Sequence, residues 1–230
     1  VIHSAYEFGV RKLLFLGSTC ILPKMAENPI KEESLMTGYL EATNEPYAVA
    51  KIAGVKMCES YNRQYGTDYR SILPCNLYGP GDNYDEENGH LAAGVIQRLH
   101  RAKVNGDKQF VVWGTGTPRR EFVYVDDMAD ACVHVMNVDK ALWDSVTLPM
   151  QNFVNVGAGH DIPIAEFVAI AKEALDYDGE IVYDTSKPDG TMNKLTDNTR
   201  ITKLGWSPKT DLTTGIRKAY DWYVTNIANK

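Results

Sequence analysis

The chain of 230 residues has few cysteines, no long apolar run and no excess of positive charge. Its four cysteines are Cys20, Cys58, Cys75 and Cys132. None makes a C-x-x-C pair, and no His/Cys cluster has zinc-ligand spacing, so no metal centre is expected. This cysteine usage suits a reducing cytosol, and the chain is read as cytoplasmic, with Cys58 and Cys132 as buried structural thiols. No apolar stretch is long enough to cross a bilayer. Arg11-Lys12 followed by Leu13-Leu14-Phe15-Leu16 imitates a signal peptide, but the run is too short and reads as a buried strand. The 24 Lys+Arg against 30 Asp+Glu leave a net charge of −6. That balance argues against general affinity for nucleic acid or an anionic membrane, while a small anion can still be held by local arginines. Internal repeats, low-complexity segments and an initiator methionine are also lacking. Val1 to Phe8 reads as the end of an amphipathic helix stopped by Gly9, as if the chain began within a fold.

A composition of 44% hydrophobic and 23% charged residues is that of a soluble globular protein, with enough chain for one large or two small domains. Lys12 to Gly17 is a short apolar strand. Cys20 to Glu45 reads as a long loop holding at most one helical turn. Tyr47 to Tyr65 is a helix, with Asn44 as its cap and Gly66 as its stop. Tyr69 to Pro74 is a second buried strand, and Asp82 to Gly89 an acidic loop. A helix is expected over Leu91 to Val104, strands over Gln109 to Trp113 and Glu121 to Val125, and a helix over Asp126 to Met136. Phe153 to Val156 is a further core strand. Ile164 to Leu175 is a helix, Glu180 to Tyr183 a strand and Leu212 to Ala228 a last amphipathic helix. Strands alternating with helices predict an α/β protein built on a doubly wound, Rossmann-type parallel sheet, with a smaller C-terminal α/β domain. The expected division is 1–77 with about 126–157 for the first domain, and 78–125 with 158–230 for the second.

Tyr47 and Lys51 stand four residues apart in Pro46-Tyr47-Ala48-Val49-Ala50-Lys51, so a helix puts phenol and ammonium on one face. A nearby cation favours a phenolate, which fits the phenol to proton transfer with an alcohol or ketone. Ser18 falls where a strand should end and can hydrogen-bond the same oxygen. Ser18 and Cys20 are two apart, so extended backbone would turn them to one side. By themselves, these residues have plainer readings. Cys20 could be a buried thiol, His90 a helix cap, Arg119-Arg120 a solvated pair, Trp113 a core residue and Lys194 a loop charge. Lys187 stays open between a structural and a substrate-facing role.

Several motifs together resemble the extended short-chain dehydrogenase/reductases that act on nucleotide sugars. They are Leu16-Gly17-Ser18-Thr19-Cys20-Ile21, Asn44 to Gly54 around the Tyr/Lys pair, and Asn76-Leu77-Tyr78-Gly79-Pro80. Trp113-Gly114-Thr115-Gly116, Arg120-Glu121-Phe122 and Lys187-Pro188-Asp189-Gly190-Thr191 complete the set. The cysteine after the serine, with Asn88-Gly89-His90, is similar to the branch that epimerises and reduces GDP-4-keto-6-deoxy-D-mannose to GDP-L-fucose. The resemblance implies a GDP-sugar substrate, NADPH as cofactor and a homodimer in which the Tyr47 helix takes part. It implies reduction by Ser18, Tyr47 and Lys51, and epimerisation by Cys20 and His90. Cofactor contacts are implied for Leu16, Gly17, Ser18, Thr19, Tyr47, Lys51, Pro74, Cys75, Asn76, Leu77 and His90. Substrate contacts are implied for Arg98, Trp113, Arg120 and Lys194. Families of this kind begin with a glycine-rich turn that cradles the cofactor pyrophosphate, and this chain does not supply it. The N-terminal half of the dinucleotide-binding sheet is therefore expected to be missing, and the segment alone to be poorly soluble and inactive. Rival readings are another nucleotide-sugar 4-epimerase, a 4,6-dehydratase, or an inactive, truncated nucleotide-sugar-binding remnant. A dehydratase should carry an acidic pair after the strand-end serine or threonine, where Thr19-Cys20 stands.

Overall fold

A computed structural model describes residues 1–85 and 89–229. In chain order its elements are α1 (Ile2–Glu7), β1 (Lys12–Leu16), α2 (Glu45–Tyr65), β2 (Asp68–Pro74), β3 (Asn76–Tyr78) and α3 (Leu91–Asn105). Then follow β4 (Gln109–Trp113), β5 (Arg119–Arg120), β6 (Phe122–Tyr124), α4 (Val125–Asn137), α5 (Lys140–Val146) and β7 (Phe153–Val156). The last are β8 (Ile162–Pro163), α6 (Ile164–Ala174), β9 (Glu180–Asp184), α7 (Thr199–Lys203) and α8 (Leu212–Tyr223), which runs on as a π-helical turn over Val224–Ala228. The chain divides into two units.

The first unit is Val1–Cys75, Asp127–His160 and Leu195–Pro208. Its sheet has the order β1-β2-β7 and is parallel throughout. A parallel strand covered on both faces reads as a continuous apolar run, and in β2 Tyr69, Ile72 and Leu73 are fully buried. Helix α2 packs on this sheet through Ala48, Val55 and Cys58. Gly54 lets the helix close on β1, since a Cβ there would run into the Phe15 ring. Gly66 ends the helix in the left-handed conformation at φ 66°, as expected. Asn44 does not cap it with its side chain. A 3₁₀ turn over Ala42–Asn44 holds Asn44 at φ −125°, ψ 13°, away from the extended backbone that aims a cap side chain at the first free amides. The loop from Cys20 to Glu45 holds three such turns, at Thr19–Ile21, Glu32–Ser34 and Ala42–Asn44, where at most one was expected.

Strand β7 is an edge, and edge strands present unpaired backbone groups that must be met. Glu32 Oε1 accepts the Asn155 amide at 2.8 Å, and Arg200 Nη1 donates to the carbonyls of Gln151 at 3.1 Å and Phe153 at 3.2 Å. This draws α7 and its neighbours into the first unit, so 195–208 leaves the second domain to which the sequence assigned it. Ile30 adds a parallel bridge to Thr196. Buried Arg70 forks onto Asp68 at 2.8 and 2.9 Å and donates to the carbonyls of Val135 and Val138 at the end of α4. It thereby satisfies helix-end acceptors that a helix leaves open.

The second unit is Asn76–Asp126, Asp161–Lys194 and Lys209–Lys230. Its strands pair two by two: β3 with β6 and β4 with β9 in parallel, β5 with β8 antiparallel. The strand expected over Glu121 to Val125 is β6, and the short β5 just before it belongs to a different sheet. The core joins α3, α6 and α8 to these strands through Val95, Ile96, Leu99, Phe122, Phe167 and Ile216. Burial pushes the Cys58 thiol in the first unit up to about 11 and raises that of half-buried Cys132, as befits inert structural thiols. No helix among the described residues is long and apolar enough to cross a membrane.

Candidate active site

Ligands of open α/β sheets bind beyond the carboxyl ends of the strands. In the first unit these ends are Leu16, Pro74 and Val156. The ladder continues one step past β1, where the Gly17 amide donates to the Ile72 carbonyl at 2.9 Å. Gly17 is buried, and a Cβ on it would run into Leu73 Cδ2, so a larger residue there would have to displace that side chain. Ser18 follows in extended backbone at φ −166°, ψ 147°.

Beyond Ser18 the backbone does not stay extended. Thr19–Ile21 forms a 3₁₀ turn, so the expectation that Ser18 and Cys20 share a side through strand geometry fails. A hydrogen bond joins them instead: the Cys20 amide donates to Ser18 Oγ at 3.1 Å. The bond uses the oxygen as acceptor and leaves the hydroxyl proton to donate elsewhere. Cys20 is half-buried, while its neighbours Ile21 and Leu22 are anchored in the core.

Tyr47 and Lys51 lie one turn apart in α2, as the spacing predicts. Lys51 Nζ donates to the Leu16 carbonyl at 2.8 Å and stands 5.6 Å from the Tyr47 ring centroid and 5.4 Å from that of Phe15. The bond ties the helix to the end of β1 and sets a positive charge beside the phenol. Tyr47 is 48% and Leu16 46% exposed, so both stand open to a ligand. Thr19 is buried, and Pro74 and Cys75 are half-buried at the end of β2, where the Cys75 amide donates to the Val156 carbonyl at 3.0 Å.

The other sequence candidates belong to the second unit. Asn76 Nδ2 donates to the Glu121 carbonyl at 2.9 Å, and Leu77 pairs with Val123. His90 occupies the cap position of α3, yet its side chain makes no cap bond and is 84% exposed. Its Nδ1 stands 4.0 Å from Asp82 Oδ1. Asn88 lies outside the described residues. The Arg98 guanidinium stacks 5.1 Å from the Phe110 ring centroid. Trp113 is 68% exposed, which removes it from the core, and Lys187 Nζ stands 5.9 Å from its ring centroid. Lys194 is half-buried near the end of the segment after β9.

Arg120 is the most informative of this group. Its Nη1 donates to the carbonyls of Arg119 at 2.7 Å and Thr191 at 2.6 Å. No carboxylate pairs with it among the described residues, whereas neighbouring Arg119 pairs with Asp161 at 2.8 Å. Burial alone holds the Arg120 guanidinium below its ordinary value. Its charge is thus partly desolvated with only carbonyl dipoles to offset it. Asp189, which accepts both the amide and the hydroxyl of Thr115, was not singled out by its motif, although both residues lie within motifs of the sequence. Among the described residues, no group of three or more His, Cys, Asp or Glu side chains is arranged to hold a metal ion.

A parallel Rossmann-type sheet with a serine at one strand end and a Tyr/Lys pair tied to that end is the frame of a dinucleotide-dependent oxidoreductase or epimerase. Residues 1–146 match the model of the NAD dependent epimerase/dehydratase family, and the chain belongs to that family. It is 50% identical over 226 residues to the GDP-L-fucose synthase of Escherichia coli (strain K12), which covers 98% of this chain and 70% of that protein. Among solved structures it resembles a GDP-L-fucose synthetase from Naegleria fowleri bound to NADP, with 29% identity and a TM-score of 0.88 over 99% of this chain and 70% of that one. A GDP-6-OMe-4-keto-L-xylo-heptose reductase from C. jejuni gives 36% identity and a TM-score of 0.91 over 98% and 73% of the two chains. The family cofactor is a nicotinamide dinucleotide, and the donor set at the end of β1 fits one. Lys51 spends one of its three donors on Leu16, and exposed Leu16 offers an apolar surface beside it.

Proposed function

We propose that this protein performs the 3,5-epimerisation and 4-reduction of GDP-4-keto-6-deoxy-D-mannose to GDP-L-fucose, with NADPH as reductant. The observation that carries it is the bond from Lys51 to the Leu16 carbonyl, which sets the ammonium and the Tyr47 phenol at the strand end that also bears Ser18. The names of the E. coli and N. fowleri relatives support the substrate, and the NADP bound to the latter supports the cofactor. Leu16, Gly17, Ser18, Thr19, Tyr47, Lys51, Pro74 and Cys75, with Asn76, Leu77 and His90, would hold that cofactor. When bound, it supplies a hydride to C4 of the sugar.

The residues of this chain do the rest. The C4 ketone acidifies the protons on C3 and C5, and inversion at each carbon needs proton removal from one face and return on the other. Cys20 and His90 are the two groups for that exchange. The negative charge that develops on the C4 oxygen is met by the Ser18 hydroxyl, whose proton is free to donate, and by Tyr47. Tyr47 then protonates the C4 alkoxide during reduction, beside the Lys51 charge. Arg120 takes the nucleotide diphosphate as a forked donor, with Arg98, Trp113 and Lys194 as further substrate contacts. The first unit thus carries the reducing groups of the dinucleotide-binding domain and the second the substrate anion. The enzyme acts in the cytoplasm as a homodimer through α2, whose outward face shows Val49 and Met57.

Tyr47→Phe tests the scheme. It removes the proton donor and keeps the ring, so NADPH oxidation by the intact enzyme should fall ~10²–10⁴-fold. Deuterium exchange at C3 and C5 should persist through Cys20 and His90. Undiminished NADPH oxidation would remove Tyr47 from the role.

A further inference from the structure

We propose that Asp189 is a positioning residue for Arg120, acting through the strap that follows β9; this rests on the diphosphate role given to Arg120 above. The strap is held to the turn after β4 by one side chain. Asp189 Oδ1 accepts the Thr115 amide at 2.9 Å, and Oδ2 accepts the Thr115 hydroxyl at 2.7 Å. The Thr115 oxygen in turn accepts the Thr117 amide at 3.2 Å, which closes the turn on itself. Gly114 makes this approach possible: it sits at φ 81°, and a Cβ on it would run into Asp189 Oδ1.

Two residues further on, the strap meets Arg120. The Thr191 carbonyl accepts Arg120 Nη1 at 2.6 Å, and the Met192 carbonyl accepts the Arg119 amide at 2.7 Å. Gly190 lies between latch and carbonyl, where a Cβ would stand 3.1 Å from Arg120 Nη2. Arg120 Nη1 is therefore fixed by two carbonyls, its own neighbour's and the strap's. Two bonds to one nitrogen set the plane of a guanidinium, and among the described residues Nε and Nη2 make no hydrogen bond. These are the donors left for a diphosphate, and bidentate recognition depends on that plane. Without Asp189 the strap loses two charge-assisted bonds on the N-terminal side of Thr191, its carbonyl is held less firmly, and the fork is freer to turn. Lys187, which stands over the Trp113 ring, and Lys194 ride on the same strap.

The test is a double-mutant cycle in the intact enzyme. For wild type, Asp189→Ala, Arg120→Lys and the double variant, the KM for the GDP-keto-sugar and the calorimetric Kd for GDP are measured. Asp189→Ala should raise both by roughly tenfold, the scale of a lost charge-assisted bond, with a smaller change in kcat at saturating substrate. The double variant should bind no more weakly than Arg120→Lys alone, because the two changes remove one interaction. Thr115→Val, which deletes the hydroxyl's bonds to Asp189 and Thr117 but keeps the Thr115 amide on Asp189, should show a smaller rise of the same sign and decides the matter should Asp189→Ala fail to fold. Unaltered KM and Kd in these variants beside a weakened Arg120→Lys, or additive losses in the double variant, would overturn the latch and leave the diphosphate role standing. Arg120→Lys with an unaltered Kd would overturn the diphosphate role and the latch together.

Discussion

Replacing Glu32 with glutamine should flatten part of the protein's stability-against-pH curve. Glu32, in the loop that joins β1 to α2, is 2% exposed. Burial pushes its carboxyl from 4.5 up to about 7, against the pull of the Asn155 amide and of Arg200. Arg200 compensates it weakly, because its short contact goes to Glu33 at 2.6 Å while Glu32 stands at 3.5 Å. Between 4.5 and about 7 the folded protein therefore keeps a proton that the unfolded chain has released. Stability from this group is complete below 4.5 and is lost as pH rises through about 7. At ~1.4 kcal/mol per pH unit the whole loss is roughly 3 kcal/mol. Glu33 works in the opposite direction: against the effect of burial, its own backbone amide and Arg200 hold its carboxyl low, but it is present in both proteins and cancels. Glutamine keeps an oxygen for the Asn155 amide and cannot ionise. Urea unfolding of wild type and Glu32→Gln at a series of pH values from about 4.5 to 8 measures the difference. Wild type should lose ground steadily relative to the variant as pH rises across that span. Parallel curves would show that Glu32 is ionised throughout and that the buried site compensates its charge.

Cys20→Ser and His90→Gln should each suppress deuterium incorporation at C3 and C5 while NADPH oxidation continues, giving a 6-deoxy sugar of the starting configuration. Normally epimerised product from both variants would refute the two-group scheme. Gly17→Ala should lower stability by ~1–3 kcal/mol, the cost of overpacking against buried Leu73, and should lower turnover further by displacing Ser18. A variant with wild-type melting behaviour and wild-type rate would show that the strand end has room to give.

What the sequence made legible follows from range. The Tyr47/Lys51 pair sits on one helix, so a spacing of four determines its geometry. Gly9 and Gly66 stop their helices locally and were readable for the same reason. The partner of Lys51 was not readable, because the Leu16 carbonyl is a backbone group that any residue would supply. Cys20 was read in the wrong local geometry, since Thr19-Cys20-Ile21 has no signature of a 3₁₀ turn and the Ser18 oxygen that stabilises it was assigned wholly to substrate. Asn44 has the composition of a cap but sits after a turn that fixes its backbone elsewhere. Leu195 to Pro208 joined the wrong domain because its place depends on Arg200 reaching the open edge of β7, more than forty residues earlier in the chain.

The four arginines Arg70, Arg119, Arg120 and Arg200 show how far such contacts separate structure from function. In sequence all four lie among polar and apolar neighbours and look alike. Arg70 is fully buried and forks onto Asp68, and Arg200 meets Glu32 and Glu33. Arg119 meets Asp161. A buried charge that lacks a partner costs several kcal/mol, so these pairings are what folding requires of a guanidinium taken out of water. Arg120 has carbonyls but no carboxylate, although it is half-buried and its burial already weakens its hold on the proton. Nothing about the fold alone calls for that arrangement, since a leucine or methionine would fill the space without the desolvation cost. On the role proposed for Arg120, an anion arriving with the substrate would supply the missing partner and be bound more tightly because the cation was kept unpaired for it.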